Sequence, residues 1–178
     1  MQRHETDHTV VADFFAQGYR VSGTFIGGTR SLPDVIYDPS TDFLLIRDAY
    51  LSPITAPASI GAHYASTILT KRNLDFVLTL EQKDGLRRDQ RYALGTYAFG
   101  ICLTVPFFEI RGRLQSSNRT FDPRVFLSGE AGTFITLLDA TARCTFDPQT
   151  SYEGGAVVVS RTAISFLGEQ PLPDATAS

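Results

Sequence analysis

Tryptophan is missing from this chain of 178 residues, methionine occurs once, and cysteine occurs only at positions 102 and 144. Neither Cys102 nor Cys144 belongs to a C-x-x-C pair or has a histidine at zinc-ligand spacing, so no metal site and no dithiol redox centre is expected. Both thiols read as buried small hydrophobes in a reducing compartment. No apolar run approaches the roughly 18 residues that a membrane span needs. The polar stretch Met1 to His8 has no apolar h-region, which argues against a secretory signal. The expectation is a cytoplasmic chain without a membrane span. Charge of one sign is also scarce: 16 Lys and Arg stand against 19 Asp and Glu, for a net charge of −3. That total offers no basic face for a phosphate backbone, and double-stranded nucleic acid is not an expected partner. What the chain does hold is 43% hydrophobic residues, enough for a packed core and against global disorder.

Three segments recur in the same order. Tyr19–Phe25 matches Phe108–Leu114, Phe43–Ala49 matches Phe134–Ala140, and Thr70–Phe76 matches Ser160–Phe166. The offsets, taken at Gly23/Gly112, Phe43/Phe134 and Thr70/Ser160, are 89, 91 and 90 residues. A drift of one residue is what changing loop lengths between duplicated units would give. Tyr19–Phe25 and Phe108–Leu114 alternate apolar and polar residues with the period of a half-buried strand. Ser31 can cap a helix, Pro33 fits a first turn, and Leu32, Val35 and Ile36 share one face. With its counterpart Asp122–Leu127, this segment is expected to plug one end of a barrel. Phe43–Ile54 and Thr133–Phe146 are expected as the longest strands. A closing hairpin is expected in each half, turning through Lys71-Arg72-Asn73 and through Arg161-Thr162-Ala163.

The expected fold is therefore all-β with short helical turns: two tandem small β-barrel or sandwich units related by internal duplication. The boundaries are a flexible N-terminal tail over 1–8, β unit 1 over 9–80, a charged connector over 81–97, β unit 2 over 98–168, and a flexible C-terminal tail over 169–178. Units of about 70 residues are small for independent stability. The two are expected to pack together about a pseudo-two-fold axis.

A residue present in both copies is expected to serve the fold, and a polar residue present in one copy is free to serve function. Gly23 and Gly112 then read as bulge or close-packing glycines. Asp48 and Asp139, each followed by Ala, read as carboxylates serving a bulge or strand end. The competing reading makes them a symmetric acid pair across a cleft. His4-Glu5-Thr6-Asp7-His8 matches the H-E-x-x-H string, but no apolar helix face and no third ligand accompany it, so no metal is assigned. Arg87, Arg88 and Arg91 precede the second copy and are not repeated. They form the candidate anion-binding site, because guanidinium groups grip phosphates bidentately. Their R-x-x-x-R spacing resembles the arginine motif of PilZ domains, although the D/N-x-S-x-x-G string that accompanies it there is missing.

The recurring pattern is V-x-G-x-L, then F-h-x-L-x-D-A, then K/R-x-x-I/L. It is carried by Val21, Gly23, Phe43, Asp48, Ala49, Lys71 and Leu74, and again by Ile110, Gly112, Phe134, Asp139, Ala140, Arg161 and Ile164. It is similar to an uncharacterised bacterial family of small tandem β-rich domains, a resemblance that implies no activity. No catalytic constellation and no cofactor site emerges. The functional expectation is a non-enzymatic protein-interaction or scaffold protein that self-associates. The alternatives are an anion- or nucleotide-binding module using the Arg-rich connector, and an enzyme using Asp48 and Asp139.

Overall fold

The computed structural model describes residues 8–92, 97–128 and 132–172. The strands of the first half are β1 (Thr9–Ala16), β2 (Tyr19–Ile26), β3 (Phe43–Pro53), β4 (Ala62–Thr70) and β5 (Leu74–Thr79). Those of the second are β6 (Tyr97–Val105), β7 (Phe108–Ser116), β8 (Phe134–Cys144), β9 (Ser151–Ser160) and β10 (Phe166–Gln170). Among the described residues four short α-helices accompany them: α1 (Leu32–Tyr37), α2 (Gln82–Gly85), α3 (Arg88–Arg91) and α4 (Pro123–Leu127). The chain is thus all-β with short helical turns. Helix α1 starts where the sequence places it, with Ser31 Oγ accepting the Asp34 N–H at 3.3 Å in an N-cap.

All ten strands join one antiparallel sheet in the order β10-β6-β7-β8-β9-β5-β1-β2-β3-β4. Within the first half the order is β5-β1-β2-β3-β4, and within the second it is β10-β6-β7-β8-β9. Registers agree as well. Ala12 faces Gly23 and Ile101 faces Gly112; Tyr19 faces Pro53 and Phe108 faces Cys144. Phe43 faces Thr70 and Phe134 faces Ser160; Phe14 faces Val77 and Leu103 faces Leu167.

Both halves bend at one place. Opposite Gly23, β3 inserts an extra residue, so that Ser22 faces Tyr50 while Thr24 faces Arg47. Asp48 adopts φ 47°, in the left-handed region that Asp tolerates better than most residues. A Cβ on Gly23 would lie 2.7 Å from Ile46 Cγ2 and 2.9 Å from the Arg47 carbonyl oxygen. Gly112 sits opposite the same bulge in β8, with Asp139 also at φ 47°. This β-bulge geometry sharpens the twist of a strand pair.

Several sequence expectations are corrected by this structure. The turn Lys71–Asn73 does not close a hairpin: it is a 3₁₀ turn, and β4 and β5 lie at opposite ends of their half. The same holds for β9 and β10 across Arg161–Ala163. Neither half therefore closes into a barrel by hydrogen bonds among the described residues. The halves also do not meet about a two-fold axis, because the joining pair is β5 with β9, the first strand of one order against the last of the other. Finally, β10 continues through Gln170, two residues into the segment expected as a tail. With no closed barrel there is no barrel end to plug: α1 packs Leu32, Val35 and Ile36 into the core, whereas α4 keeps Val125 and Leu127 on the surface and turns Phe126 inward against Phe121, with ring centroids 5.4 Å apart.

The 3₁₀ turns owe their direction to one basic side chain each. Lys71 is buried, and its ammonium donates to the carbonyls of Val35 at 2.9 Å and Asp38 at 2.5 Å. Arg161 donates through Nη1 to the Ser128 carbonyl at the corresponding end of α4. A cation on the last carbonyls of a helix satisfies acceptors that have no intrahelical partner. Burial pushes the Lys71 ammonium below its usual range. Lys71→Met should lower unfolding stability by about 2 kcal/mol, the scale of charge-assisted hydrogen bonds, as read from urea titration; an unchanged midpoint would remove this role.

Candidate interaction site

Strand β5 is buried along its whole length, which a strand achieves only when both faces of its sheet are covered. Phe76 and Leu78 enter the cluster of the second half, while Leu74 and Val77 enter that of the first. Strand β9 is shared in the same way, Val157 and Val159 to one side and Val158 to the other. Along the joint, Phe76 faces Val159, Val77 faces Val158, Leu78 faces Val157 and Thr79 faces Ala156. An aromatic cluster covers it. Phe15 stacks on Phe76 at 4.2 Å, and both meet Phe108 edge-on at 5.1 Å. Tyr152 packs on Phe15 at 5.1 Å and carries the Arg20 guanidinium over its ring. Arg20 is in turn held by Asp13 at 3.1 Å.

The outer edges of the sheet are β4 and β10. Among the described residues, β4 pairs only with β3 and β10 only with β6. Strand β4 runs nine residues without Lys, Arg, Asp, Glu or Pro. Those are the features that usually discourage an edge from pairing. Ile68 on it is 61% exposed, and Phe43 on the adjoining strand is 49% exposed. Beside them runs a groove of about 350 Å³ lined by Tyr19, Val21, Leu51, Tyr64, Ile68 and Leu69. On β10, Phe166 is 59% exposed.

The connector arginines lie elsewhere. Arg87 stacks over the Tyr37 ring at 5.3 Å, with its Nε 3.4 Å from Asp89. It lines a cavity of about 280 Å³ with Tyr37, Leu86, Gln90, Ser116 and Thr136. Asp34 and Asp38 stand with it in a smaller adjoining pocket. Arg91 turns back to donate to the Leu86 carbonyl at 3.1 Å, and Arg88 is exposed. Tyr37 bonds Thr136 at 3.1 Å, and burial pushes its phenol up.

Asp48 and Asp139 sit one in each half, at the bulges. Asp139 accepts from Gln82 at 2.6 Å and pairs with Arg113 at 2.8 Å. The described residues gather no group of three or more His, Cys, Asp or Glu able to hold a metal, and no described helix is long and apolar enough to cross a membrane. The string His4 to Asp7 lies outside the described residues. Cys144 is buried, whereas Cys102 is only half-buried, a departure from the expected pair of core thiols.

Which strands form the edges is not legible in the sequence, because the hairpins expected from it hide β4 against β5. One signal was present. Val157-Val158-Val159 in β9 is wholly apolar, while the corresponding Thr67-Ile68-Leu69 in β4 is mixed. No family model matches the chain, and no curated protein or solved structure matches it either.

Asp75 stands on β5 next to the joint. It is buried, and its Oδ2 accepts the Gln17 amide at 3.1 Å. Burial raises its carboxyl above the ordinary value of 3.8. Folding therefore favours the protonated form, and the Asp75 contribution is fully present below that ordinary value and lost as pH rises through the raised one. Asp75→Asn should raise the melting temperature at neutral pH and leave it unchanged below the ordinary value; an equal shift at both pH values would contradict this.

Proposed function

We propose that the chain is a non-enzymatic protein-interaction or scaffold protein that associates with itself through β4 and β10, which have one strand partner each among the described residues. In this reading it works in a reducing cytoplasm and is built from two copies of one five-stranded unit. The matching strand order and registers of the two halves support the duplication. The family likeness carried by Gly23, Asp48 and Lys71 belongs to the same proposal and adds no activity to it.

The observation that carries the reading is β4: nine residues of edge strand without Lys, Arg, Asp, Glu or Pro, with Tyr64 and Ile68 exposed on it and Phe43 exposed on the adjoining β3. An edge without charge or proline is a template for another strand, and strand addition is a recurrent mode of protein recognition. The Arg-rich connector supports an anion site less well, since the Arg87 guanidinium already faces Tyr37 among Asp34, Asp38 and Asp89.

Light scattering over a dilution series tests the proposal. A particle heavier than the 19.6 kDa of one chain, with a mass that grows with concentration, is expected. A 19.6 kDa particle at every concentration would contradict it.

A further inference from the structure

The joint between the two halves is a template for a joint between two chains. Strand β9 holds the last place in its half and β4 the last place in the other; β5 and β10 hold the first places. Inside the chain a first-place strand pairs with a last-place strand, β5 with β9, and what stays open at the two ends of the sheet, among the described residues, is again one of each kind. We infer that β10 of one chain pairs with β4 of a second copy in the geometry of the β5·β9 joint, giving a head-to-tail assembly. The inference rests on the strand-edge reading above and names its partner, its surfaces and its register.

The residues that are buried inside the joint have exposed counterparts at the ends. Phe134 and Val158 of the second half are buried in the cluster of the first half; their counterparts in β3 and β4 are Phe43 and Ile68, 49% and 61% exposed. Phe76 is buried in the cluster of the second half; its counterpart in β10 is Phe166, 59% exposed. Carried across, the register sets Phe166 against Leu69, Leu167 against Ile68, Gly168 against Thr67 and Glu169 against Ser66. Phe166 of one copy then enters the groove beside β4 and meets Tyr19, as Phe76 meets Phe108 within the chain.

Two differences make the joint between copies the weaker one. Phe15, Ile54 and Leu78 reinforce Phe76 within the chain, whereas Thr104, Thr145 and Gly168 occupy the corresponding places around Phe166. Beyond Thr79 the chain also stays close to β9, the Gly155 N–H donating to the Leu80 carbonyl at 3.0 Å. A Cβ on Gly154 would lie 2.5 Å from the Thr79 carbonyl, and β4 has Tyr64 in that place. The contact between chains therefore ends after four residue pairs and dissociates on dilution. Because it joins unlike surfaces, it builds a closed ring if the rotation closes and a filament if it does not.

The test uses two full-length variants at exposed positions, Ile68→Lys on β4 and Phe166→Lys on β10, with far-UV circular dichroism to show that each is folded. Phe43→Lys serves as a second β4-side variant should Ile68→Lys misfold. Each variant alone should run as a monomer of 19.6 kDa in analytical ultracentrifugation. Mixed in equal amounts, they should form a 1:1 heterodimer and nothing larger, since one intact β4 and one intact β10 remain. Three results would overturn the inference: wild-type oligomers that survive both substitutions, a Phe166→Lys variant that dimerises alone through β4 against β4, or a mixture that stays monomeric. The first two would leave self-association standing and reject this joint. A wild-type chain that is monomeric throughout would remove both readings.

Discussion

The backbone groups of a sheet edge must find partners, and in this chain the pairing of β5 with β9 meets that demand at the middle of the molecule. Four residue pairs form its ladder. A net hydrogen bond contributes about 1 kcal/mol, while burying a phenylalanine side chain contributes about 2–3 kcal/mol. Phe15, Phe76 and Phe108, all fully buried at the joint, therefore supply much of the energy, and the ladder supplies the register. Since β5 and β9 each feed two apolar clusters, neither half owns a complete core. The two halves are thereby joined in one ten-stranded sheet with shared apolar clusters.

The same constraint explains why the ends differ from the middle. At the joint, Val157, Val158 and Val159 are covered on both sides. At the β4 end, Thr67, Ile68 and Leu69 hold the same places with water on one side, so the sequence there is mixed. Gly154 and Gly155 let the chain leaving β5 lie directly on β9. Tyr64 and Ala65 deny the same approach at β4. In the proposed assembly the joint that holds the halves together within the chain recurs, in weaker form, at its ends.

Much of the fold was legible in the residues. Period-two alternation located β2 and β7, Ser31 and Pro33 located α1, and Gly23 with Asp48 marked a bulge site that Gly112 and Asp139 repeat. Those signals are local: a left-handed φ, an N-cap and an alternating face are each decided by a few neighbouring residues. The path of β5 was not legible, because a turn of three residues between two apolar runs looks alike whether the strands pair or part. What separates the two cases is Lys71 reaching the carbonyls of Val35 and Asp38, a contact between residues far apart in sequence. The candidate site was hidden by the same misreading. An edge exists only once strand order is known, and strand order is a long-range property. The arginines of the connector drew notice by their density, yet Arg87 and Arg91 spend their guanidinium groups on Tyr37, Asp89 and the Leu86 carbonyl.

Amide hydrogen exchange, followed by mass spectrometry at a dilute and a concentrated condition, addresses the central claim most directly, because it reports which backbone groups are paired. Slow exchange is expected in β5 and β9 at both concentrations, with β4 and β10 fast when dilute and slowed together when concentrated. Exchange in β4 that stays fast in the concentrated, assembled state would contradict the account, as would exchange in β5 as fast as that of a free edge.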